Sequence, residues 1–162
     1  MYEENFLRLA IELSATALET PGTEPFAAVV VRNGQIVGKG INRSLEKRDP
    51  TSHGETEAIR DACRNLDTVD LRECDLYSSC EPCALCVAAM QISGIRRLYY
   101  AAGLAESNAA LQHLPLSARF TVDVDTLREQ CGKTVEERAM PARQALFEDA
   151  MKVLCAWAKQ RA

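Results

Sequence analysis

Three cysteines lie at intervals of three residues in the segment SSCEPCALC, residues 78–86. Cys80, Cys83 and Cys86 are spaced too densely for ordinary core packing. Clustered thiols can form a redox pair, or they can bind a metal ion such as zinc, which prefers thiolate sulfur and imidazole nitrogen in a tetrahedral arrangement. The spacing therefore raises the question of which other side chains would complete a metal site.

The other candidate ligands are few, because the chain contains only two histidines. His53 begins one predicted helix. Pro82 predicts a second helix start beside the cysteines, since proline is favoured in the first turn. Cys83 and Cys86 would then lie one turn apart on the same helix face. Two helix starts can thus bring one imidazole and two thiolates to a single zinc ion and leave a fourth position open, as in catalytic sites.

Glu55 lies two residues after His53 and places a carboxylate beside the predicted metal site. Zinc lowers the pKa of water toward about 7, and a neighbouring carboxylate can carry the protons of a hydrolytic reaction. The two motifs together, H-x-E followed by P-C-x-x-C, form the pattern of zinc deaminases. We therefore expect hydroxide to attack a ring carbon that carries an amino group. Glu55 would deliver the proton to the ring nitrogen and assist the departure of ammonia.

Each of these residues also has a simpler interpretation. Ser52 and Glu55 fit a capping box, in which Glu55 only accepts a hydrogen bond from the Ser52 N–H. Cys80 and Cys83 fit a redox pair, and Cys80 could instead close a structural zinc site as a fourth ligand. Because the two motifs occur together, each at a predicted helix start, we favour the catalytic interpretation. Cys80 lies on the preceding predicted strand and should point to a sheet face, so we do not expect it to bind the metal.

Composition indicates an ordinary globular protein of 162 residues, with 47% apolar and 26% charged residues. The net charge is −4, and no basic block provides an electrostatic surface for nucleic acid or an anionic membrane. The first residues lack the pattern of a signal peptide, and no apolar run reaches membrane-spanning length. These features predict a cytoplasmic protein, in which clustered cysteines more often indicate metal or redox chemistry than disulfides.

Hydrophobic periodicity and turn residues predict an α-β-β-α-β-α-β order followed by helices. The predicted elements are a helix over 3–19, strands over 26–31 and 35–41 joined by an Asn-Gly turn, a polar loop over 42–52, a helix over 53–66, a strand over 74–79, a helix over 82–93 that ends at Gly94, a strand over 95–102, and helical segments over 121–132 and 140–160. Residues 103–120 give no clear pattern. This order predicts a single domain, residues 1–162, with a mixed sheet covered by helices on both faces.

The chain resembles the cytidine deaminase superfamily, and most closely its bacterial guanine-deaminase-like branch. The matching segments are PFAAVVV, DPTSHGETEAI, SCEPCALC, RLYYAA and EERAMP. The resemblance implies a three-layer α/β/α fold with a five-stranded mixed sheet, and one zinc ion per subunit. It also implies a homodimer in which the C-terminal segment is exchanged between subunits.

Matched by position, the resemblance implies that the metal ligands are His53, Cys83 and Cys86. It implies that Glu55 is the proton shuttle. It also implies that Asn42 donates or accepts a hydrogen bond with the substrate ring and that Phe26 packs against that ring. Asn42 could instead be a turn residue, and Phe26 a core residue. Glu106 is the one acidic candidate after the YAA strand for a contact with a ring N–H.

Several positions depart from the guanine-type branch. The zinc-binding helix has Gln91 and Ile92 where an aromatic residue is usual, ARQ follows EERAMP in place of aromatics, and Gly54 replaces the commoner alanine. We expect a zinc-dependent hydrolase that releases ammonia from a free nucleobase or related aminated heterocycle in purine metabolism, with guanine favoured. A cytosine-, pterin- or triazine-type substrate remains open. A tRNA adenosine deaminase and a non-catalytic zinc module are less favoured, because the chain is acidic and because a module would not need Glu55.

Overall fold

A four-stranded mixed sheet forms the centre of the first part of the chain. The structure is a computed structural model that describes residues 2–115, 119 and 123–161. The strands are β1 (Glu24–Arg32), β2 (Gln35–Asn42), β3 (Cys74–Cys80) and β4 (Arg97–Ala102). Their order across the sheet is β2-β1-β3-β4. β1 pairs antiparallel with β2 and β3, whereas β3 and β4 are parallel.

All four strands that the hydrophobic pattern predicts are present. The five-stranded sheet was implied only by the resemblance, and the described residues carry four strands. After β4 the described chain turns into a helix instead of returning along the open edge of the sheet. The hairpin prediction is confirmed, because Asn33 and Gly34 have φ values of 51° and 73°. Positive φ at both central residues is what a two-residue hairpin turn of this hand requires.

Seven helices occur in the described residues. They are α1 (Glu4–Ala15), α2 (Ser44–Lys47), α3 (Gly54–Leu66), α4 (Ala84–Ser93), α5 (Leu104–Leu111), α6 (Val124–Cys131) and α7 (Phe147–Lys159). The first predicted helix, over 3–19, ends at residue 15 and continues as a short 3₁₀ turn. The loop predicted over 42–52 contains α2, and the unclear segment after β4 contains α5. The C-terminal helix begins at residue 147, not at 140 as predicted.

The helices cover both faces of the sheet, which confirms the three-layer α/β/α fold. Successive residues of β1 point to opposite faces, so that Ala28 and Val30 pack with α3 and α4, while Val29 and Val31 pack with α1. Phe6 of α1 belongs to the second of these clusters. A strand that is buried on both faces reads as a continuous apolar run, which explains why β1 was recognisable in the sequence.

The structure divides into two compact units, residues 1–124 and residues 125–162. The second unit contains most of α6, a 3₁₀ turn over 135–137 and α7. The described side chains of α7 are exposed, including Phe147, Leu154 and Trp157. Among the described residues, no helix combines the length and apolar character needed to cross a membrane.

Candidate active site

Two helix starts converge at one end of the sheet. His53 is the N-cap residue of α3, and Cys83 is the N-cap residue of α4. Both have extended backbone, and neither side chain forms a capping hydrogen bond with its own helix. Because α4 begins at Ala84, Pro82 precedes the helix instead of lying in its first turn. Cys86 lies in that first turn, so both cysteines still face the same site.

The three predicted ligand atoms have the spacing of a zinc site. Cys83 Sγ and Cys86 Sγ are 3.8 Å apart, and each sulfur is 3.5 Å from His53 Nδ1. With Zn–S bonds of about 2.3 Å and a Zn–N bond of about 2.0 Å, a tetrahedral site requires separations of about 3.8 Å and about 3.5 Å. The residues therefore fit a zinc ion without rearrangement.

Hydrogen bonds within this group shift the pKa values of its members. The hydrogen bond between the two cysteine sulfurs, together with the contact to His53, lowers the pKa of Cys83 to about 4. The same sulfur–sulfur contact, reinforced by burial, raises the pKa of Cys86. The hydrogen bond with Cys83 raises the pKa of His53. Since zinc binds thiolates and neutral imidazole, its binding would displace the protons that these hydrogen bonds share.

Cys80 is not part of the ligand group. It is the last residue of β3, is buried, and its thiol lies 4.0 Å from the Gly103 carbonyl oxygen. The group that can hold a metal in the described part of the chain consists of His53, Cys83 and Cys86. No disulfide links Cys80 and Cys83, and all seven cysteines are free thiols. The ion would thus have three protein ligands, which matches the open geometry of a catalytic site.

Glu55 lies beside the ligands and is only 5% exposed. Ser78 Oγ donates a hydrogen bond to one carboxylate oxygen at 3.1 Å, and Cys86 Sγ donates to the other at 3.2 Å. Burial raises the pKa of Glu55 above its ordinary value. The capping-box interpretation is wrong, because the Ser52 N–H donates to the Asp49 carbonyl oxygen instead. The carboxylate is therefore fixed by the site and not by the helix end.

Two glycines allow α3 to approach the sheet closely enough to carry His53 and Glu55 into the site. A Cβ atom on Gly54 would lie 2.5 Å from the Phe26 carbonyl oxygen, and one on Gly40 would lie 2.3 Å from the Gly54 carbonyl oxygen. Real Cβ atoms do not approach backbone this closely. The glycine at position 54, which looked like a departure from the family, is thus required by the way this helix packs.

A cavity of about 260 Å³ opens over the ligand group. Its lining includes three of the predicted site residues outside the metal ligands, Phe26, Asn42 and Glu55. Glu106 is exposed and is not in the lining. Its carboxylate instead lies next to Gly103 at the start of α5, where it would meet a Cβ atom at 2.2 Å. The acidic side chains that do line the cavity are Glu24, Glu55 and Glu81.

Asn42 ends β2 and combines the two roles considered for it. Its side-chain oxygen accepts a hydrogen bond from the Ser44 N–H at 2.9 Å, as in a turn, while the residue is buried and lines the cavity. The amide NH₂ is then a group that Asn42 can offer to a bound molecule. The Arg43 N–H donates to the Ser52 carbonyl oxygen at 2.9 Å, which holds this segment beside His53.

Sequence reasoning missed an ion pair at the same cavity. Arg119 donates a hydrogen bond to the Glu24 carboxylate at 3.1 Å, and its guanidinium lies 5.2 Å from the centre of the Phe26 ring. The two paired side chains are 19% and 9% exposed. No local pattern connects residues that are 95 positions apart in the chain. A buried Glu24 in an otherwise apolar strand was the one signal that could have suggested a cationic partner.

Comparison with known proteins identifies the same residues as a family region. Residues 1–102 match the model described as the cytidine and deoxycytidylate deaminase zinc-binding region. A guanine deaminase of Bacillus subtilis is 32% identical over 157 residues, which cover 97% of this chain and 94% of that protein. The X-ray structure of guanine deaminase from Bacillus subtilis matches with a TM-score of 0.84 at 31% identity, over 98% of this chain and 95% of that chain.

A second group of relatives matches a shorter part of the chain. A tRNA-specific adenosine deaminase of Aquifex aeolicus is 39% identical over 102 residues, which cover 63% of this chain and 67% of that protein. These relatives support the reaction type but not a particular substrate. Because the family model covers more than half of the chain, and because the ligand spacing fits zinc, this chain belongs to the cytidine and deoxycytidylate deaminase family and is a zinc-dependent hydrolase of C–N bonds.

Proposed function

We propose that the enzyme deaminates a free aminated heterocycle, with guanine as the first candidate. The observation that carries this proposal is the position of Glu55, a buried carboxylate next to the His53, Cys83 and Cys86 group that also lines a cavity of about 260 Å³. Guanine is favoured because a protein named guanine deaminase matches nearly the whole chain. The adenosine deaminase of tRNA matches a shorter part.

Each step of the reaction has a residue suited to it. Zinc, when bound by His53, Cys83 and Cys86, supplies a Lewis acid that makes water a better nucleophile at neutral pH. Glu55 accepts a proton from the attacking water, delivers it to the ring nitrogen and then assists the departure of the amine as ammonia. The net change replaces the ring C–NH₂ group with a carbonyl and consumes one water. The hydrogen bond from the Ser78 hydroxyl holds one oxygen of the carboxylate in place between these transfers.

Ring binding falls to cavity-lining residues other than the zinc ligands. Phe26 offers an aromatic surface, and Asn42 offers an amide NH₂ to a ring acceptor. Small-molecule sites of this kind combine an apolar wall with a few fixed polar groups that orient the ligand. Since these groups recognise a ring edge and not one particular base, cytosine-, pterin- and triazine-type substrates stay in the proposal as alternatives.

The proposal is tested by an ammonia-release screen with the zinc-loaded enzyme. Guanine, adenine, cytosine, pterins and aminotriazines are compared with nucleosides, single-stranded oligonucleotides and tRNA, at low and moderate salt. We expect turnover of guanine or another free heterocycle that changes little with salt. Steeply salt-dependent deamination of RNA, with no turnover of any small ring, would show that the substrate class is a polynucleotide, because phosphate contacts make binding strongly dependent on salt.

We further propose a cytoplasmic homodimer that functions in purine metabolism. The C-terminal unit supports the dimer, because α7 exposes large apolar side chains along its length, including Leu154 at 60% and Trp157 at 58%. An exposed apolar surface of this kind is typical of a contact with another chain. An exchange of the C-terminal segment between subunits remains part of this proposal. Light scattering should give a dimer mass, and Leu154→Glu with Trp157→Glu should reduce it to that of a monomer.

A further inference from the structure

Ser44 is a lining residue of the cavity whose hydroxyl group the proposed reaction does not yet use. It is the first residue of α2, in the segment that directly follows Asn42, and it lines the same cavity as Glu55. Its Oγ atom is buried and has no hydrogen-bond partner. Among the described residues, Ser44 Oγ is the only buried side-chain nitrogen or oxygen atom without a hydrogen-bond partner.

A buried hydroxyl without a partner is unfavourable, and native structures contain few such groups. The fold does not need this one. The Ser44 N–H is already bonded to the Asn42 side-chain oxygen, and the Lys47 N–H donates to the Arg43 carbonyl oxygen, so α2 is held by its main chain. Alanine at position 44 would keep both of these interactions. The hydroxyl is therefore explained better by something that binds in the cavity than by the stability of α2.

Other serines near the site show the contrast. Ser107 also lines the cavity, but its hydroxyl donates to the Leu104 carbonyl oxygen at 3.0 Å. The Ser78 hydroxyl donates to Glu55. Both hydroxyls are occupied within the protein before any ligand arrives. Ser44 is different because its hydroxyl retains its full hydrogen-bonding capacity at a cavity that must bind a polar ring.

We infer that the Ser44 hydroxyl is a specificity-determining contact that pairs with a polar atom on the edge of the substrate ring. This inference rests on the proposed function, since it concerns the same cavity. Asn42 can offer its NH₂ to that edge, while its oxygen already accepts a hydrogen bond from the Ser44 N–H. The hydroxyl can donate or accept, so the pair fits a ring edge that carries an oxo or aza acceptor beside a second polar atom. Binding such an edge gives the buried hydroxyl its missing partner.

The test compares Ser44→Ala with two other variants of the zinc-loaded enzyme, on the best substrate of the ammonia-release screen. Ser44→Ala should lower kcat/KM by about 5- to 100-fold, as expected when one buried substrate contact is lost. Its thermal unfolding temperature should stay the same or rise, because an unpaired buried polar group has been removed. Ser44→Thr keeps the hydroxyl and should retain most of the activity.

Ser93→Ala is the matched control. The Ser93 hydroxyl on α4 is buried, but it donates to the Ala89 carbonyl oxygen at 2.8 Å and is not in the cavity lining. This variant should lower the unfolding temperature and leave kcat/KM unchanged, the opposite of the result for Ser44→Ala.

The proposed substrate and the inference about Ser44 can fail independently. If wild-type enzyme uses an aminotriazine and not guanine, the proposed substrate is wrong, and Ser44 is tested on the aminotriazine. Ligand-induced stabilisation by guanine and by its deaminated product provides a second readout that does not depend on turnover, and Ser44→Ala should reduce it. Unchanged kcat/KM and ligand-induced stabilisation in Ser44→Ala, with a lower unfolding temperature, would overturn the inference and make Ser44 a structural residue.

Discussion

Two groups of residues line the cavity: the zinc end, formed by His53, Cys83 and Glu55 next to Cys86, and the ring-binding end, formed by Phe26, Asn42 and Ser44. They differ in how completely their polar groups are paired. At the zinc end, both Glu55 oxygens have partners, and the atoms of His53, Cys83 and Cys86 are within hydrogen-bonding distance of one another. At the ring-binding end, the Ser44 hydroxyl has no partner in the described residues. The zinc end is thus complete apart from its ion, whereas the other end lacks a partner that a ligand could supply.

This difference separates what the family shares from what one member binds. A preorganised reaction centre must keep its donors and acceptors in place before the substrate arrives, because reorganising them would cost transition-state stabilisation. Specificity depends instead on polar groups that only the correct ring satisfies. Substitutions at the zinc end should therefore affect every substrate, and substitutions at the ring-binding end should affect substrates differently.

The largest effect should come from the zinc ligands. Cys83→Ala or Cys86→Ala should lose the metal and all measurable deamination, and should also lower the free energy of unfolding, because bound metal stabilises the folded state. Metal analysis of the purified proteins should give about one zinc per chain in the wild type and none in these variants.

Cys80→Ala provides the control, because it removes a buried thiol near the site that is not part of the ligand group. It should keep its zinc. Loss of zinc from Cys80→Ala together with its retention in Cys83→Ala would show that the ligands are assigned incorrectly.

The next largest effect should come from Glu55→Gln. Glutamine preserves the shape of the side chain and can still interact with Ser78, but it cannot carry a proton. We expect zinc content and unfolding temperature close to those of the wild type, and a loss of at least about 10²-fold in kcat on every substrate, as for the removal of a positioned acid and base. A kcat within a few-fold of the wild-type value would remove Glu55 from the proton transfers.

The zinc end could be predicted from sequence because its signals are local. The motifs around His53 and Cys83 lie at helix starts, and the four strands that position them have apolar runs or hairpin residues. The ligand spacing itself could not be read from the chain, since it depends on how closely α3 approaches β1 and β2. In the sequence Gly54 was only a departure from the family, yet the space it leaves at the Phe26 carbonyl is what permits that approach.

The ring-binding end was harder to predict because tertiary contacts form it. α2 has four residues, too few to show helical periodicity, and it is held by hydrogen bonds such as that from the Glu46 N–H to the Gly22 carbonyl oxygen. Glu106 was chosen as an acidic contact by its position after β4, but the structure leaves it outside the cavity lining. Its role in binding remains a prediction without support from its placement.

A smaller effect is expected from Asn42→Ala. This change removes the NH₂ that the cavity offers to a ring acceptor, and it also frees the Ser44 N–H. We expect the transition state to lose about 1–3 kcal/mol of stabilisation, measured as a lower kcat/KM, with zinc retained. The loss should be larger for a substrate with an oxo group than for an analogue that lacks it. Equal losses on both substrates would indicate that Asn42 only supports α2.

The smallest effect should come from the Arg119 and Glu24 pair. Arg119→Leu keeps an apolar side chain against Phe26 but leaves the buried Glu24 carboxylate without its cation. We expect kcat/KM to fall by about two- to tenfold, because the Phe26 ring loses the guanidinium that lies over it. A lower free energy of unfolding should accompany this change, because removing one partner leaves an uncompensated buried charge.

A double-mutant cycle separates these two consequences. Glu24→Gln removes the charge that Arg119 compensates, so Arg119→Leu should cost less stability in the Glu24→Gln background than in the wild type. Any remaining loss of activity in the double variant then measures the direct contribution of the guanidinium to ring binding, because the unpaired carboxylate is gone. If the two single changes were additive in both stability and kcat/KM, the ion pair would have no coupling. The ring-binding end would then depend on Phe26, Asn42 and Ser44 without it.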